Sequence, residues 1–394
     1  MESKEASDSY SAGILDKLNK KKRVKNEEFV GFKEKRKEYK EQKRKWEEEK
    51  AMKKIQKRLD KEAKELEEER LRENLKRKNG RDWTLSIAVP GSIIENAQSD
   101  ELRTYLAGQI GRAATVFAVD EIIVFDELKS ITKNESGEFV STSTNKRRNG
   151  CIMLAKVLQY LDCPQYLRKA FFPQQPDLKN AGLLNPLDAP HHLRADDWSD
   201  YREGVVRDNT PKEGKGSFVD IGLTKACQID QRVMPGVRVT VKINPASKDN
   251  KKKYNGKAVA PTEPRTECGL YWGYKTRLVS CLSDVFSQCP HEGGYDLTIG
   301  TSERGNAVDD YSPTHSFKHA LVVFGGLKGL EAAVEADDKL EASDPKELFD
   351  SYLNTCPGQG SGTIRTEEAI LISLSALRPK LLSVQGTADH QPVV

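Results

Sequence analysis

The sequence predicts an α/β protein that is interrupted by a small all-β unit and preceded by a charged arm. Apolar strand and helix patterns alternate over residues 81–202 and return over 269–380. Between them, residues 203–268 contain only short β-type segments that are separated by Gly and Pro. The arm, residues 1–80, is dense in Lys, Arg and Glu, and residues 381–394 form a patternless tail that we expect to be disordered.

The arm is predicted to be disordered at first and then helical. Residues 1–80 hold 27 Lys and Arg against 19 Asp and Glu, a net charge of +8, which leaves −4 for the remainder of a chain whose net charge is +4. A basic arm on a mildly acidic body suggests a polyanionic partner. The basic run at 20–25 has the composition of a nuclear-localisation signal, although solvated charge runs of this length are common. Sparse apolar residues from Met52 to Leu75 form a broken heptad seam, which favours a lone charged helix over a coiled coil.

The first α/β part opens with a strand, a helix and a second strand. Apolar residues alternate over Trp83–Val89 before the turn at Pro90-Gly91. A helical pattern runs from Leu102 to Ala114. Ile122–Phe125 is apolar throughout, as buried parallel strands are.

Loops and one more helix complete this part. Residues 129–148 predict a polar loop and 150–161 predict a helix. Prolines then exclude long regular structure in Pro164–Pro173 and Leu183–Arg194. Aromatic, basic and histidine side chains in such loops are typical of a surface that holds a substrate.

The β-rich unit predicts a small barrel of the OB type. Valines and isoleucine alternate over Val237–Ile243, and a Lys-rich hairpin at Lys248–Lys257 interrupts the strands. The barrel would be an insertion, because α/β patterns resume after it. These predict a helix at Leu278–Phe286, strands at Leu297–Ile299 and Ala320–Phe324, a last short strand within 348–353, and a helix at about 366–377.

Three segments after predicted strands carry unusual loops: Thr301–Gly305, Phe324–Leu330 and Pro357–Thr363. Ligands of open parallel sheets bind at the carboxyl ends of strands, and glycines let backbone N–H groups approach them. The loops therefore predict one small-molecule site. A phosphate loop would need Lys after its second glycine, and Gly325-Gly326-x-x-Gly329 is only part of a dinucleotide fingerprint, so neither pattern is satisfied.

Longer motifs carry a family resemblance. The segments occur in the order WTLSIAVPGSIIENAQ, YLRKAFFP, GLLNPLDAPHHLR, YDLTIGTSERG, VVFGGLKGLE and PGQGSGTIRTEEAI. Over roughly residues 83–380 they resemble the SPOUT-domain-containing RNA methyltransferases that are linked to centromeres and the spindle and have archaeal relatives. The resemblance implies a SPOUT domain with a deep C-terminal trefoil knot, an OB-like insertion, and a homodimer whose active site is completed across the interface. Knots are rare, and sequence physics alone does not predict one.

The resemblance implies S-adenosylmethionine as the cofactor and assigns it to the three glycine-bearing loops. Much of the binding would use backbone groups, which explains the glycines. The implied cofactor residues are Thr301, Gly325, Gly326, Gly329, Asn354, Cys356, Gly358, Gln359, Gly360, Thr363 and Ile364.

The resemblance also implies methyl transfer to RNA, with N3 of a uridine in large-subunit ribosomal RNA as the acceptor. A ribose 2′-hydroxyl is the alternative acceptor, but Thr301–Gly305 lacks the Asn-x-x-x-Arg arrangement of the ribose-methylating branch. A non-enzymatic alternative is an RNA-binding adaptor of the spindle or centromere with a vestigial pocket. No bulky residue replaces a glycine of the Pro357–Thr363 loop, which favours a working pocket.

Four residues near these loops are candidates for the reaction itself. Uridine N3–H is weakly acidic, so a proton acceptor would assist attack. Arg304 and Arg365 could orient RNA, Ser361 could hydrogen-bond the acceptor, and Glu367 could contact the base or accept its proton. The simpler alternatives are a surface ion pair for each arginine, and interaction with the helix dipole for Glu367 or Glu368.

RNA would be held by the OB-like insertion and the proline-rich loops, through stacking and phosphate contacts. Folding alone could also explain the aromatic residues there. The candidate RNA-binding residues are Tyr166, Arg168, Lys169, His192, Lys251, Lys252, Lys253 and Lys257.

Other features restrict the class of protein. His191-His192 and the group Cys281, Cys289 and His291 lack finger-type spacing, so no metal site is predicted. No run approaches 18 uninterrupted apolar residues, the N-terminus does not have the character of a secretory signal, and seven irregularly spaced cysteines suggest reduced thiols. The basic run at 20–25 and the family resemblance together imply a location in the nucleus and nucleolus, and the resemblance implies association with the spindle and kinetochore in mitosis.

Overall fold

The computed structural model describes residues 40–41, 43–61, 80–142, 149–209, 214–248, 250 and 252–385. It comprises two compact units, Met1–Asn74 and Leu75–Val394. In the first unit, residues 40–41 and 43–61 are helical and exposed, and pairs such as Arg44–Glu48 link successive turns. The basic run at 20–25 and the end of the predicted tail, 386–394, lie outside the described residues.

The second unit contains strands, helices and short 3-10 turns. In chain order the strands are β1 (Thr84–Pro90), β2 (Glu121–Phe125), β3 (Ile131–Lys133), β4 (Phe139–Ser141), β5 (Tyr201–Val206), β6 (Phe218–Asp220), β7 (Cys227–Gln228), β8 (Arg238–Ile243), β9 (Tyr254–Val259), β10 (Lys275–Val279), β11 (Leu297–Ala307), β12 (His319–Val323) and β13 (Ser351–Asn354). The α-helices are α1 (Asp100–Val116), α2 (Gly150–Asp162), α3 (Gln165–Phe171), α4 (Glu263–Cys268), α5 (Leu282–Ser287), α6 (Glu331–Ala336) and α7 (Thr366–Ser383). The 3-10 turns are Gly91–Asn96, Pro176–Leu178, Ala181–Leu183, Pro245–Ser247, Val308–Asp310 and Pro345–Leu348.

A six-stranded parallel sheet forms the body of this unit, in the order β10-β2-β1-β12-β11-β13. One face packs against α1, α2 and α7, and the other against α5 and α6. Every residue of β1 and β2 is buried, as strands covered on both faces must be. All six strands point the same way, so the loops at their carboxyl ends meet at one edge of the sheet.

Strands β5 to β9 close a separate small barrel in the order β5-β6-β7-β9-β8. Its core is apolar and includes Val219, Ile221 and Val241. The barrel falls between α3 and α4 in the chain, so the predicted insertion of a barrel into the α/β body is confirmed. Its first strand begins at Tyr201, two residues before the predicted boundary at 203.

Three predictions about elements were wrong in detail. Residues 129–148 were predicted to be a loop, but β3 and β4 form a hairpin there, because Ile131 is buried and starts a short ladder. The predicted helix at Leu278–Phe286 begins as the edge strand β10, which pairs with β2, and only then becomes α5. The last helix continues past Pro379 to Ser383, because Leu377 and Leu381 are both buried, so residues 381–383 do not belong to a disordered tail.

Candidate active site

A cleft of about 880 Å³ lies at the carboxyl ends of the sheet strands. The irregular end of β11 and the loops after β1, β12 and β13 line it, together with the first two turns of α1 and α7 and the start of α6. Sites for cofactor-sized molecules usually measure about 300–1,000 Å³. The cleft therefore has room for a nucleoside cofactor and part of a second reactant.

The loop after β12 presents backbone to the cleft. Gly325, Gly326 and Gly329 all line it, and the N–H of Gly329 donates to the carbonyl of Gly326 at 3.0 Å. Gly329 has φ +74°, a left-handed conformation that favours glycine. A Cβ on Gly325 would lie 2.7 Å from the carbonyl carbon of Gly329, so this tight turn admits no side chain. Glycines therefore shape this wall of the cleft, and their contact with a cofactor stays a prediction.

A carboxyl group lies behind the same loop. A Cβ on Gly326 would lie 2.6 Å from Oε1 of Glu127, so the two residues are in close contact. Ser92 Oγ donates to this oxygen, while Glu127 Oε2 is buried and has no hydrogen-bond partner among the described residues. Burial raises the pKa of Glu127, against the hydrogen bond from Ser92, which lowers it.

The loop after β13 is held by its own side chains. Asn354 Nδ2 donates to the carbonyl of Glu303 at 3.0 Å, and Asn354 Oδ1 accepts from the N–H of Cys356 at 3.0 Å. These bonds fix two cleft-lining loops against each other. Gln359 Nε2 donates to the carbonyl of Ser361, and Ser361 Oγ donates to the carbonyl of Thr363.

Most of the predicted cofactor residues line the cleft, and a few do not. Those on its wall are Thr301, Gly325, Gly326, Gly329, Asn354, Cys356, Gln359, Thr363 and Ile364. Gly358, Gly360 and the predicted catalytic residue Ser361 are not part of the lining. Gly358 has φ +72°, a left-handed conformation that favours glycine, and a Cβ on Gly360 would meet no atom of the described residues within 4 Å.

At the start of α7, the adjacent residues Glu367 and Glu368 make different contacts. Glu368 Oε2 accepts from the backbone N–H of Arg365 at 3.0 Å and so caps the helix. Glu367 faces the cleft, as Arg365 does. Thr366 Oγ1 donates to the carbonyl of Gly325 at 3.0 Å, which ties α7 to the glycine loop of β12. Capping therefore accounts for Glu368 and leaves Glu367 available to a ligand.

Arg304 also lines the cleft, and it pairs with Glu331 rather than with the adjacent Glu303. Its Nη1 lies 3.3 Å from Glu331 Oε1, and the two side chains are 71% and 38% exposed. The interaction is open to solvent, so another partner can replace it at small cost.

Sequence reasoning missed one wall of the cleft. The loop after β1 and the start of α1 supply Ile93, Asn96, Ala97, Gln98, Leu102, Tyr105 and Leu106. The signal was present, because Pro90-Gly91 follows a predicted strand of the same sheet. Glu331, Lys328 and Ser373 were missed as well, since a short helix start gives little indication of what it faces.

Three candidate RNA-binding residues are bound to the protein's own backbone: Tyr166 and Arg168, which lie in the short helix α3, and His192, which lies in the loop before the barrel. Tyr166 Oη donates to the carbonyl of Glu203 at 2.8 Å, and Arg168 Nε donates to that of Cys163 at 3.0 Å. His192 Nε2 lies 2.9 Å from the carbonyl oxygen of Asp162. Burial, and then neighbouring His191, lower the pKa of His192 to about 4. Tyr166 thus links the body to barrel strand β5, and the roles of all three residues in RNA binding stay predictions.

The candidate lysines differ in accessibility. Lys169, Lys252 and Lys257 are exposed, whereas Lys253 donates to Gln228 Oε1. Lys251 lies outside the described residues. The exposed lysines can reach a phosphate backbone without breaking an internal contact.

The described residues hold neither a cluster of metal ligands nor a helix that could span a membrane. Nowhere in that part of the chain do three His, Cys, Asp or Glu side chains cluster as metal ligands would. None of the helices described there is long and apolar enough to cross a membrane. All seven cysteines are free.

Comparison with known proteins identifies the family. Residues 84–377 match a family model described as "Putative RNA methyltransferase". The chain belongs to this SPOUT-type RNA methyltransferase family. The matched segment contains every loop of the cleft and the inserted barrel, so the family's shared region includes the whole candidate site.

Members of the family with high similarity to the chain carry a specific name. The human protein named 28S rRNA (uridine-N(3))-methyltransferase is 58% identical over 315 residues, which cover 80% of this chain and 82% of the human one. The mouse protein of the same name is 58% identical over 318 residues, 81% of this chain and 82% of the mouse one. The Drosophila melanogaster protein of that name is 52% identical over 304 residues, 76% of this chain and 62% of the fly one.

Proposed function

We propose that this protein is an S-adenosylmethionine-dependent RNA methyltransferase that methylates N3 of a uridine in large-subunit ribosomal RNA. The observation that carries the proposal is the identity of 52–58% with three proteins named 28S rRNA (uridine-N(3))-methyltransferase. The family match over residues 84–377 includes the glycine loops and the rim of the cleft, which supports the proposal that cofactor and acceptor bind there.

The cleft fits the proposed cofactor. Backbone groups of the β12 and β13 loops line it, and the β12 loop turns so tightly that a Cβ on Gly325 would lie 2.7 Å from the backbone of Gly329. The cofactor would supply an activated methyl group on its sulfonium. Thr301, Asn354 and the loops they support would hold it and orient it toward the acceptor.

The acceptor would approach from the rim, where Arg304, Arg365 and Glu367 line the cleft. Two guanidinium groups can hold phosphate or base oxygens, and Glu367 can contact a base edge. Ser361 does not line the cleft, so a contact with RNA would require it to act from the outer face of its loop. RNA farther from the target would lie on the exposed lysines of the barrel.

We also propose that the barrel is of the OB type and that the α/β body contains a trefoil knot. The barrel order, with its third and fifth strands paired in parallel, supports an OB-type barrel. A trefoil knot, as the family resemblance implies, would account for the contact of α7 with the carbonyl of Gly325 in the β12 loop. In that arrangement the knot itself would form the cofactor pocket.

A homodimer is also part of the proposal. Three apolar side chains of α1 are exposed: Leu102 (50%), Tyr105 (45%) and Val116 (58%). Their spacing places them along one face of the helix. Leu371 on α7 is 44% exposed. A groove of about 340 Å³ runs between the two helices, and Glu367 lines both this groove and the cleft. A second copy docked on this apolar face would therefore border the reaction site.

Nuclear localisation and association with the spindle or kinetochore are two further proposals. They rest on the basic run at 20–25 and on the resemblance to the centromere-linked subfamily. Neither depends on the active-site geometry.

The test is methyl transfer from labelled S-adenosylmethionine to large-subunit ribosomal RNA taken from cells that lack the protein. We expect N3-methyluridine at one position after nuclease digestion and mass spectrometry. A nuclease-resistant dinucleotide would instead indicate ribose methylation. Absence of both methyl transfer and a calorimetric heat of cofactor binding would favour the adaptor with a vestigial pocket.

A further inference from the structure

A carboxylate and a guanidinium meet at the edge of the cleft. Glu331 is the first residue of α6 and follows the glycine loop of β12, while Arg304 lies in the irregular end of β11. Glu331 Oε1 is 3.3 Å from Arg304 Nη1. Both side chains line the cleft and are partly exposed, so an incoming molecule can reach them without unfolding anything.

This pair complements one edge of uracil. Uracil carries a single donor, N3–H, between two carbonyl acceptors on its Watson–Crick edge. An ionised carboxylate only accepts hydrogen bonds, and a guanidinium only donates them. The two together therefore match the N3–H donor of uracil and a neighbouring carbonyl acceptor. Cytosine presents an unprotonated N3 beside an amino group, which would set the carboxylate against a lone pair.

We propose that Glu331 accepts the N3 proton of the target uridine while Arg304 holds the neighbouring carbonyl. The inference rests on the proposed function and assigns its proton acceptor. As the N3–H bond breaks, the proton passes to a carboxylate oxygen of Glu331. The electron pair of N3 forms the bond to the methyl carbon, and the bond from that carbon to the sulfonium sulfur breaks with its electrons remaining on sulfur.

Two other carboxylate residues line the cleft, Glu303 and Glu367. Glu331 differs from both because it lies against the loop assigned to the methyl donor: a side chain on Gly329 would run into Glu331 Oε2. Glu367 lies where the cleft meets the groove between α1 and α7, and the described residues give it no arginine partner. The pairing with Arg304 and the position beside the glycine loop therefore single out Glu331.

The variant Glu331→Gln keeps the side-chain shape and removes the proton acceptor. We expect its single-turnover rate on the target RNA to fall about 100-fold, the usual contribution of a positioned base. Calorimetry should show unchanged S-adenosylmethionine binding, which also verifies that the variant is folded. The control is Glu335→Gln, an exposed residue of the same helix that does not line the cleft, and its rate should equal that of the parent chain.

A second substrate separates proton acceptance from simple positioning. Fluorine at uracil C5 acidifies N3–H, so RNA with 5-fluorouridine at the target needs less help from a base. We expect this RNA, and a rise in pH, each to reduce the deficit of Glu331→Gln. Binding should change too: in the complex with S-adenosylhomocysteine, the parent chain should prefer uridine over cytidine at the target, and the variant should lose that preference.

Different results would contradict the proposed function and the role of Glu331 as proton acceptor. A parent chain that neither binds the cofactor nor methylates uridine would overturn the proposed function. With a working parent chain, a full rate for Glu331→Gln, a deficit equally large on 5-fluorouridine RNA, or a deficit explained by weaker cofactor binding would overturn the role of Glu331. If 5-fluorouridine RNA and a higher pH restore the rate of Glu367→Gln but not that of Glu331→Gln, Glu367 is the residue that accepts the proton.

Discussion

At the residue scale, the glycines of the cleft are not equivalent, although the sequence presents them as one pattern. Gly325 and Gly329 face each other across a turn that cannot hold a Cβ, whereas Gly360 borders open space. Spacing alone predicts that glycine matters in a loop. It does not say which glycine faces the ligand, because that depends on how the loop folds back.

This difference gives a prediction. Gly325→Ala should weaken S-adenosylmethionine binding at least tenfold, because its Cβ would lie 2.7 Å from backbone of Gly329 and force the loop to move. Gly360→Ala should bind as the parent chain does. Isothermal titration calorimetry on the two variants is the measurement, and equal affinities for both would contradict the assignment of the β12 loop to the cofactor.

His192 predicts a pH dependence of stability. Burial and the neighbouring His191 hold its folded-state pKa at about 4, below its ordinary value of 6.5. As pH falls from 6.5 toward 4, the unfolded chain takes up a proton that the folded chain does not, so the contribution to stability present above pH 6.5 is lost. Between pH 7.5 and pH 5 this amounts to about 1–2 kcal/mol.

Urea unfolding at the two pH values checks this, with His192→Gln as the comparison. The variant should show a smaller loss of stability on acidification than the parent chain. His291 and His319, whose rings stack at 3.7 Å, have lowered pKa values for the same reason of burial and should leave a residual pH dependence in both proteins. An identical loss in parent and variant would remove His192 from the explanation.

At the element scale, a buried ionic network attaches the barrel to the sheet. Arg238 of β8 donates to Glu203 of β5 at 2.7 Å and to Asp162, the last residue of α2, at 3.0 Å. Although burial opposes it, His191 and Arg238 hold the pKa of Asp162 at about 2. Trp272 Nε1 also donates to Glu203 at 2.6 Å, so the barrel and both flanking segments share one set of contacts.

Removing Arg238 should therefore be costly. Arg238→Met leaves two buried carboxylates without their cation, and we expect a loss of about 2–3 kcal/mol in the free energy of unfolding. The matched control is Arg207→Met, whose partner Asp220 is 42% exposed, like Arg207 itself; its loss should stay below about 1 kcal/mol. Urea denaturation measures both, and losses of equal size would show that the network adds little.

The elements themselves were largely predictable, and the exceptions have a common cause. Buried strands such as β2 and β12 are apolar throughout, and α1 and α2 keep a helical period, so local pattern was sufficient. The edge strand β10 and the end of α7 were mistaken because their conformation is decided by packing. Leu278 pairs with Val124 of β2, and Leu381 reaches the core beyond Pro379.

At the scale of the whole molecule, the site exists because distant segments meet. Four loops from residues 93 to 373 surround the cleft, and only parallel strand order brings them together. The sequence could predict the three glycine-bearing loops, since each follows a recognisable strand. It could not predict that Arg304 pairs with Glu331 or that Tyr166 and His192 are engaged by the protein's backbone, because those contacts depend on the position of the barrel and of α6.

Assembly of two copies is also a property of the whole molecule. If a second copy covers the face formed by Val116 of α1 and Leu371 of α7, then Val116→Glu with Leu371→Glu should convert a dimer into a folded monomer. Both side chains are exposed in the single chain, so the unfolding temperature of each subunit's core should change little. Methyl transfer should fall steeply, because the groove beside Glu367 would lose the partner that borders the cleft.

Sedimentation velocity at micromolar concentration is the direct measurement for this double variant. Met234→Glu, at a barrel-loop residue that is 75% exposed, is the control and should remain dimeric and active. A parent chain that sediments as a monomer would refute the dimer outright. A double variant that stays dimeric would move the interface away from α1 and α7, and the apolar residues on those helices would then need another partner.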